Sequence, residues 1–251
     1  MTARYSDIAE MRVLVTGASS GIGKAIASAF LEQGARVAVH FRTQRLGAEE
    51  VCSIAPSRAV AVSGDLGFEP GVRRVTAEAI ARFGALDGIV HCAGIWEEGM
   101  LDRIDETELL RMFRTNTFSS FYLARDGARS GMRWMTIIGS TAGQRGEPKH
   151  SAYAASKAAL RGMVHSLAQE QGPKVRYNLI SPGWVKTPMV ELQLALGDRE
   201  QKLSKAIPTG RLGTVADCAA AALFLASEGA GHLTGIELDL SGGALLPLAS
   251  R

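Results

Sequence analysis

Short β-branched runs alternate with helical periods along the whole of this 251-residue chain. The runs are Val13–Val15, Val37–Phe41, Val60–Val62, Ile89–His91, Met135–Ile138, Val175–Ile180 and Ile236–Leu240. Continuous apolar runs of this length fit strands buried on both faces, the environment of a parallel sheet. Between them, Lys24–Gln33, Gln44–Ile54, Gly71–Phe83, Glu106–Arg114, Ser119–Arg129, Ser151–Gln171 and Val215–Ala226 have helical spacing. Gly34, Gly84 and Gly172 stand where helix C-caps are expected. The repetition predicts an α/β fold: a doubly wound, seven-stranded parallel sheet with helices on both faces. No linker divides residues 1–251, so one domain is expected, with the irregular segment 188–213 as a substrate loop or lid.

The turn after the first strand is the first candidate site. Thr16-Gly17-Ala18-Ser19-Ser20-Gly21-Ile22-Gly23 leaves a strand and opens a helix. Its glycines permit a tight turn and let a pyrophosphate approach backbone amides that the helix N-terminus makes electropositive. In that position the turn reads as a Rossmann-like dinucleotide site. Cofactor choice is read at the end of the second strand, where His40-Phe41-Arg42-Thr43 offers no acid to hold a ribose 2′-hydroxyl. Arg42 can fork onto a 2′-phosphate, Thr43 can donate to it, and Arg45 can assist. This favours NADP(H), with NAD(H) the alternative. Ser20 adds no charge, and the lesser alternative for Arg42 is a solvated loop residue.

Composition removes other classes. A net charge of +3, with scattered basic residues, is too small a footprint for nucleic acid. The longest apolar run, Cys218–Ala226, is about half of the ~20 residues a membrane span needs. The three cysteines, Cys52, Cys92 and Cys218, are far apart; they make neither a disulfide framework nor a metal pair, and point to a reducing compartment. His91 and Cys92 are adjacent on a strand and point to opposite faces, so they hold no metal together. Met1–Glu10 carries Asp7 and Glu10 and no apolar core, so a cytoplasmic location is expected.

Tyr153-Ala154-Ala155-Ser156-Lys157 opens a helix, and residues four apart share a face. The Lys157 ammonium is therefore expected to lower the Tyr153 pKa and fit the phenol for general acid–base work. Ser140 directly follows the strand Met135–Gly139, at the carboxyl edge where doubly wound folds bind ligands. Its hydroxyl can donate to a substrate carbonyl, with Thr141 a nearby alternative. Asn116, at the start of a helix, reads alone as an N-cap.

With Gly-x3-Gly-x-Gly and Tyr-x3-Lys in place, the chain resembles the short-chain dehydrogenase/reductase family from Met11 to about Leu246. The resemblance implies a catalytic set of Asn116, Ser140, Tyr153 and Lys157. Asn116 would hold a water in the proton relay, and Lys157 would bind the nicotinamide ribose. Phe41 stands where the family's NAD enzymes carry Asp. Asp65-Leu66 would meet the adenine, although Asp65 could also be a turn cap. Cys92-Ala93-Gly94 would wall the adenine ribose, with His91-Cys92 replacing the family's Asn pair. Pro182, Gly183, Val185 and Thr187, within Ser181–Thr187, would border the nicotinamide.

The reaction this implies is hydride transfer between a nicotinamide and a carbonyl or secondary alcohol. Trp96, Gln144, His150, Trp184 and Met189 are the candidates for contact with a small-molecule substrate. One alternative is reduction of 3-oxoacyl groups on acyl carrier protein. Arg125, Arg129 and Arg133 could form the basic surface that needs. The 24 residues from Asn116 to Ser140 are about one helical turn short for that branch. A non-catalytic dinucleotide sensor would be expected to lack Tyr153 or Lys157. The family also implies a homodimer or homotetramer through Ser119–Arg129 and Ser151–Gln171.

Overall fold

The computed structural model describes residues 5–247. Strands β1 (Arg12–Thr16), β2 (Arg36–Phe41), β3 (Ala59–Ser63), β4 (Gly88–His91), β5 (Trp134–Ile138), β6 (Arg176–Pro182) and β7 (Glu237–Leu240) form one sheet in the order β3-β2-β1-β4-β5-β6-β7. Every neighbouring pair is parallel. The connecting helices are α1 (Gly21–Glu32), α2 (Arg45–Cys52), α3 (Glu69–Phe83), α4 (Glu106–Phe113), α5 (Ser119–Arg129), α6 (Ala142–Arg145), α7 (Ser151–Gln171), α8 (Glu191–Leu194), α9 (Arg199–Ala206) and α10 (Val215–Ala226).

The period-two alternation of β1 divides the core. Val13 and Val15 join Ile26, Phe30 and Leu223 on the face covered by α1 and α10. Leu14 joins Leu123, Leu160 and Met163 on the face covered by α5 and α7. Burial of both faces accounts for strands that read as unbroken apolar runs. Strand order reverses between β1 and β4, where Thr16 pairs with His91, and the chain ends there diverge into a crevice.

The expected glycine caps stand, in two forms, and two other expectations change. Gly34 and Gly84 take the left-handed region, at φ 95° and 82°. Gly172 instead closes α7 in an extended conformation, φ −62° and ψ 141°. Pro173 follows it, and its ring disfavours the helical region for the residue before. Asn116 does not begin a helix: it lies in a π-helical turn, Arg114–Phe118, that joins α4 to α5 without a break. The segment 188–213 carries α8 and α9, held down by Leu194, Ile207 and Leu212, with Trp184 and Leu203 packed against them. No described helix is long and apolar enough to cross a membrane.

Candidate active site

A cleft of about 350 Å³ opens over the carboxyl ends of the strands. Its floor is the turn after β1. Gly17 sits at φ 62°, and a Cβ there would lie 2.9 Å from the Ala93 backbone. A Cβ on Gly23 would lie 2.2 Å from the Gly17 carbonyl oxygen, so only glycine lets α1 start this close to the strand. Ser19, Ser20, Gly21 and Ile22 line the same floor. The α1 N-terminus lacks a side-chain cap among the described residues, leaving its first amides for an anion.

The other sequence-predicted cofactor residues ring this floor. Arg42, Thr43, Asp65, Leu66, Cys92, Ala93 and Gly94 line one end, and Pro182, Gly183, Val185 and Thr187 the other. Asp65 also accepts the Gly67 amide at 2.9 Å, so it is a turn cap as well as a wall. Arg45 turns away and pairs with Glu49 at 2.7 Å. The segment after β6 is anchored by an isolated bridge between Val185 and Gly213. That bridge uses the Trp184 carbonyl and the Lys186 amide, which leaves the Val185 amide and carbonyl on the opposite edge.

Ser140 and Tyr153 both line the cleft, the Ser140 hydroxyl close enough to act on the Tyr153 phenol, and Ser140 Oγ accepts the Ala142 amide at 3.1 Å. Burial pushes the Tyr153 phenol up to about 12; the Ser140 contact lowers it and the Glu147 carboxylate raises it further. The expectation that Lys157 acidifies Tyr153 is therefore corrected. Lys157 Nζ donates to the Ile138 carbonyl at 2.8 Å, and burial brings its own pKa down to about 8. Desolvation is the largest cause of both shifts.

Asn116 does not line the cleft. Its Oδ1 accepts the Ile95 amide at 2.8 Å, and its Nδ2 donates to the Ile95 carbonyl at 2.9 Å and to Ser156 Oγ at 3.0 Å. It ties the chain after β4 to α7, beneath Gly94. The π-helical turn supplies the extra residue that aims this amide inward, a use to which such turns are often put.

Of the substrate candidates, Trp96, Trp184 and Met189 line the cleft, and Gln144 and His150 do not. Gln144 turns its amide to Glu237, a half-buried carboxylate that also accepts from Ser181 Oγ at 2.6 Å. His150 lies behind Trp96, stacked at 4.5 Å.

Further residues escaped the sequence reading. His40, quoted only as part of a run, accepts the Gly17 amide at Nδ1 (3.1 Å) and donates from Nε2 to the Gly64 carbonyl (3.0 Å). Thr16 Oγ1 accepts the amides of Cys92 and Ala93, so its one proton goes to His91 Nδ1 at 2.7 Å. His91 Nε2 then donates to Ser119 Oγ at 2.9 Å, and Ser119 donates to the Thr115 carbonyl. Neutral His91 thus joins the glycine turn, the ribose wall and the π-helical turn in one directed chain. Gly47 lets α2 lie against Ser19, and Glu147 enters the cleft from the loop after α6. No local spacing signals either role, since each depends on a distant partner.

The chain as a whole has known counterparts. A family model described as enoyl-(acyl carrier protein) reductase matches residues 17–244. The chain belongs to the short-chain dehydrogenase/reductase family. A 3-oxoacyl-acyl-carrier-protein reductase of Haemophilus influenzae is 32% identical over 93% of this chain and 97% of its own. Versicolorin reductase 1 of Aspergillus parasiticus is 34% identical, over 92% and 95% of the two chains. A Burkholderia cenocepacia short-chain dehydrogenase, solved in complex with NADP, superposes with a TM-score of 0.88 at 29% identity, over 95% of this chain and 99% of that one. This short-chain dehydrogenase/reductase is accordingly an oxidoreductase that binds a nicotinamide cofactor, on a single seven-stranded parallel sheet.

Proposed function

We propose that the protein reduces a carbonyl compound to a secondary alcohol with NADPH. The observation that carries this reading is the convergence of Ser140, Tyr153 and Lys157 in one cleft with the amide-lined turn. The dihydronicotinamide, when bound, supplies the hydride. The chain's own residues handle charge and protons. Ser140 donates to the carbonyl oxygen, and Tyr153 gives it a proton as negative charge develops there. A phenol held protonated suits the reducing direction. Lys157 binds the nicotinamide ribose, and the carboxamide is held by the Val185 backbone and the Thr187 hydroxyl. Asn116 positions the proton path through its grip on Ile95 and Ser156. The segment 188–213 acts as the substrate loop of the single domain.

Arg42 is the residue we assign to the 2′-phosphate. It lines the cleft and has no ion-pair partner among the described residues, whereas Arg45 is engaged. Arg42→Ala is expected to cut kcat/KM for NADPH by ~10-fold or more, the scale of a lost charge-assisted contact, and to leave NADH nearly unchanged. Equal losses with both coenzymes would remove Arg42 from this role.

A second reading, 3-oxoacyl-acyl-carrier-protein reductase, is favoured by the Haemophilus relative. Against it, Arg125 is paired with Glu69 and Asp126, and Arg133 with Asp87, so the basic surface is largely countered. Oxidation of NADPH by an acetoacetyl thioester but by no simple ketone would decide for the second reading. We assign the protein to the cytoplasm, where the thiols of Cys52, Cys92 and Cys218 stay reduced.

A further inference from the structure

The reductase reading leaves open what kind of carbonyl enters, and the substrate end of the cleft is built in a way that bears on this. Trp96 stacks on His150 with centroids 4.5 Å apart and planes within 2°. Trp184 meets Trp96 edge to face, at 6.2 Å and 87°. The Arg199 guanidinium lies 5.2 Å over the Trp184 ring. Two indoles at a right angle offer a ligand both a face and an edge, the arrangement that complements the quadrupole of another aromatic ring.

The corner also has one polar feature. Glu147 Oε2 accepts the Trp96 indole N–H at 3.3 Å, and its other oxygen has no partner among the described residues. The carboxylate lines the cleft and lies near enough to Tyr153 to act on its phenol. A free carboxylate oxygen repels anions and accepts from a hydroxyl.

Contacts on either side hold this geometry. The Gly99 amide donates to the Lys149 carbonyl at 2.8 Å, and Lys149 pairs with Glu98 at 3.0 Å, joining the loop after β4 to the loop after α6. On the Trp184 side, Lys186 pairs with Glu200 of α9. Aromatic walls fixed before binding lose little freedom when a flat ligand arrives.

We propose that the Trp96–Trp184 corner and Glu147 select flat aryl ketones that carry a ring hydroxyl, the ring lying against the indoles and the hydroxyl donating to Glu147. This rests on the carbonyl-reductase reading and specifies the substrate for the same site. An aliphatic ketone would leave the indoles without a complementary partner, and a carboxylated one would be repelled.

The test compares ring-hydroxylated tetralones with their methyl ethers, using cyclohexanone and an acetoacetyl thioester as aliphatic controls. The hydroxyl form is expected to exceed its methyl ether in kcat/KM by ~10-fold, the scale of a hydrogen bond to a charged acceptor. Glu147→Gln is expected to collapse that ratio. Any general effect of the variant on Tyr153 cancels, because it acts on both ketones. Trp96→Ala is expected to lower kcat/KM for the tetralones more than for cyclohexanone.

A binding measurement separates this proposal from the reductase reading. Hydroxytetralone is expected to quench tryptophan fluorescence of the protein without coenzyme, through Trp96 and Trp184, while Trp134 stays buried against Phe30. Quenching without reduction of any carbonyl would keep the corner and sink the reductase. Turnover of the aliphatic controls, with tetralones neither reduced nor quenching, would do the reverse. A hydroxyl-to-ether ratio near one in the unaltered enzyme, or one unchanged in Glu147→Gln, overturns the proposal.

Discussion

Tyr153 shows what a motif carries at the scale of a residue and what it omits. The spacing to Lys157 put both groups at the start of one helix, because helical geometry is local. It could not weigh burial. Tyr153 is held protonated, up to about 12, while Lys157 is brought down to about 8. Tyr153→Phe is expected to leave coenzyme binding near normal and to lower kcat by ~10²-fold or more, the scale of a lost general acid. Unaltered turnover would remove the residue from the chemistry. The pH dependence of reduction follows from the same pair. Tyr153 keeps its proton through the neutral range, so the first group to lose one on raising the pH is Lys157. kcat/KM, which reports the free enzyme, should fall above pH about 8. A profile flat to roughly pH 10 would show that the Lys157 charge is not needed.

At the scale of the element, alternation gives the parallel sheet and the glycine turn, since buried runs and glycine turns are written locally, while the strand order that opens the crevice between β1 and β4 is not. The ties across that crevice were not legible. His91 looked like a departure from the family's Asn pair; it is the centre of a hydrogen-bond chain linking β1, β4 and the π-helical turn. Gln144 stands outside the cleft lining, beside Glu237, a partner distant in sequence. Burial brings His40 down to about 4 and His91 to about 3, from an unfolded value of 6.5. Between pH 6.5 and about 4 the unfolded chain binds more protons than the folded one, so stability falls as the pH falls through that window. Each histidine should account for ~3 kcal/mol of loss by pH 4. His91→Asn cannot be protonated, and denaturant unfolding at neutral and acid pH should show a smaller acid loss than in the unaltered protein. The same loss in both would show that His91 does not stay neutral in the folded state.

At the scale of the whole molecule, the face of the sheet covered by α5 and α7 is unfinished. Leu123 and Leu160 of these helices are buried inward, in one core cluster. Outward, Phe118 and Phe121 are 37% and 48% exposed, and Ala155, Ala158, Ala159 and Gly162 of α7 are bare. Their exposure leaves them for another surface. Apolar rings beside a row of residues that permit close helix approach fit a self-complementary contact with a second copy. We therefore expect the protein to sediment as a dimer or tetramer at micromolar concentration. Phe121→Glu would place a carboxylate in that contact and should reduce the mass toward a single chain, with the far-ultraviolet spectrum unchanged. An unaltered protein that sediments as a monomer, or a Phe121→Glu variant that keeps its assembly, would exclude this face as the interface.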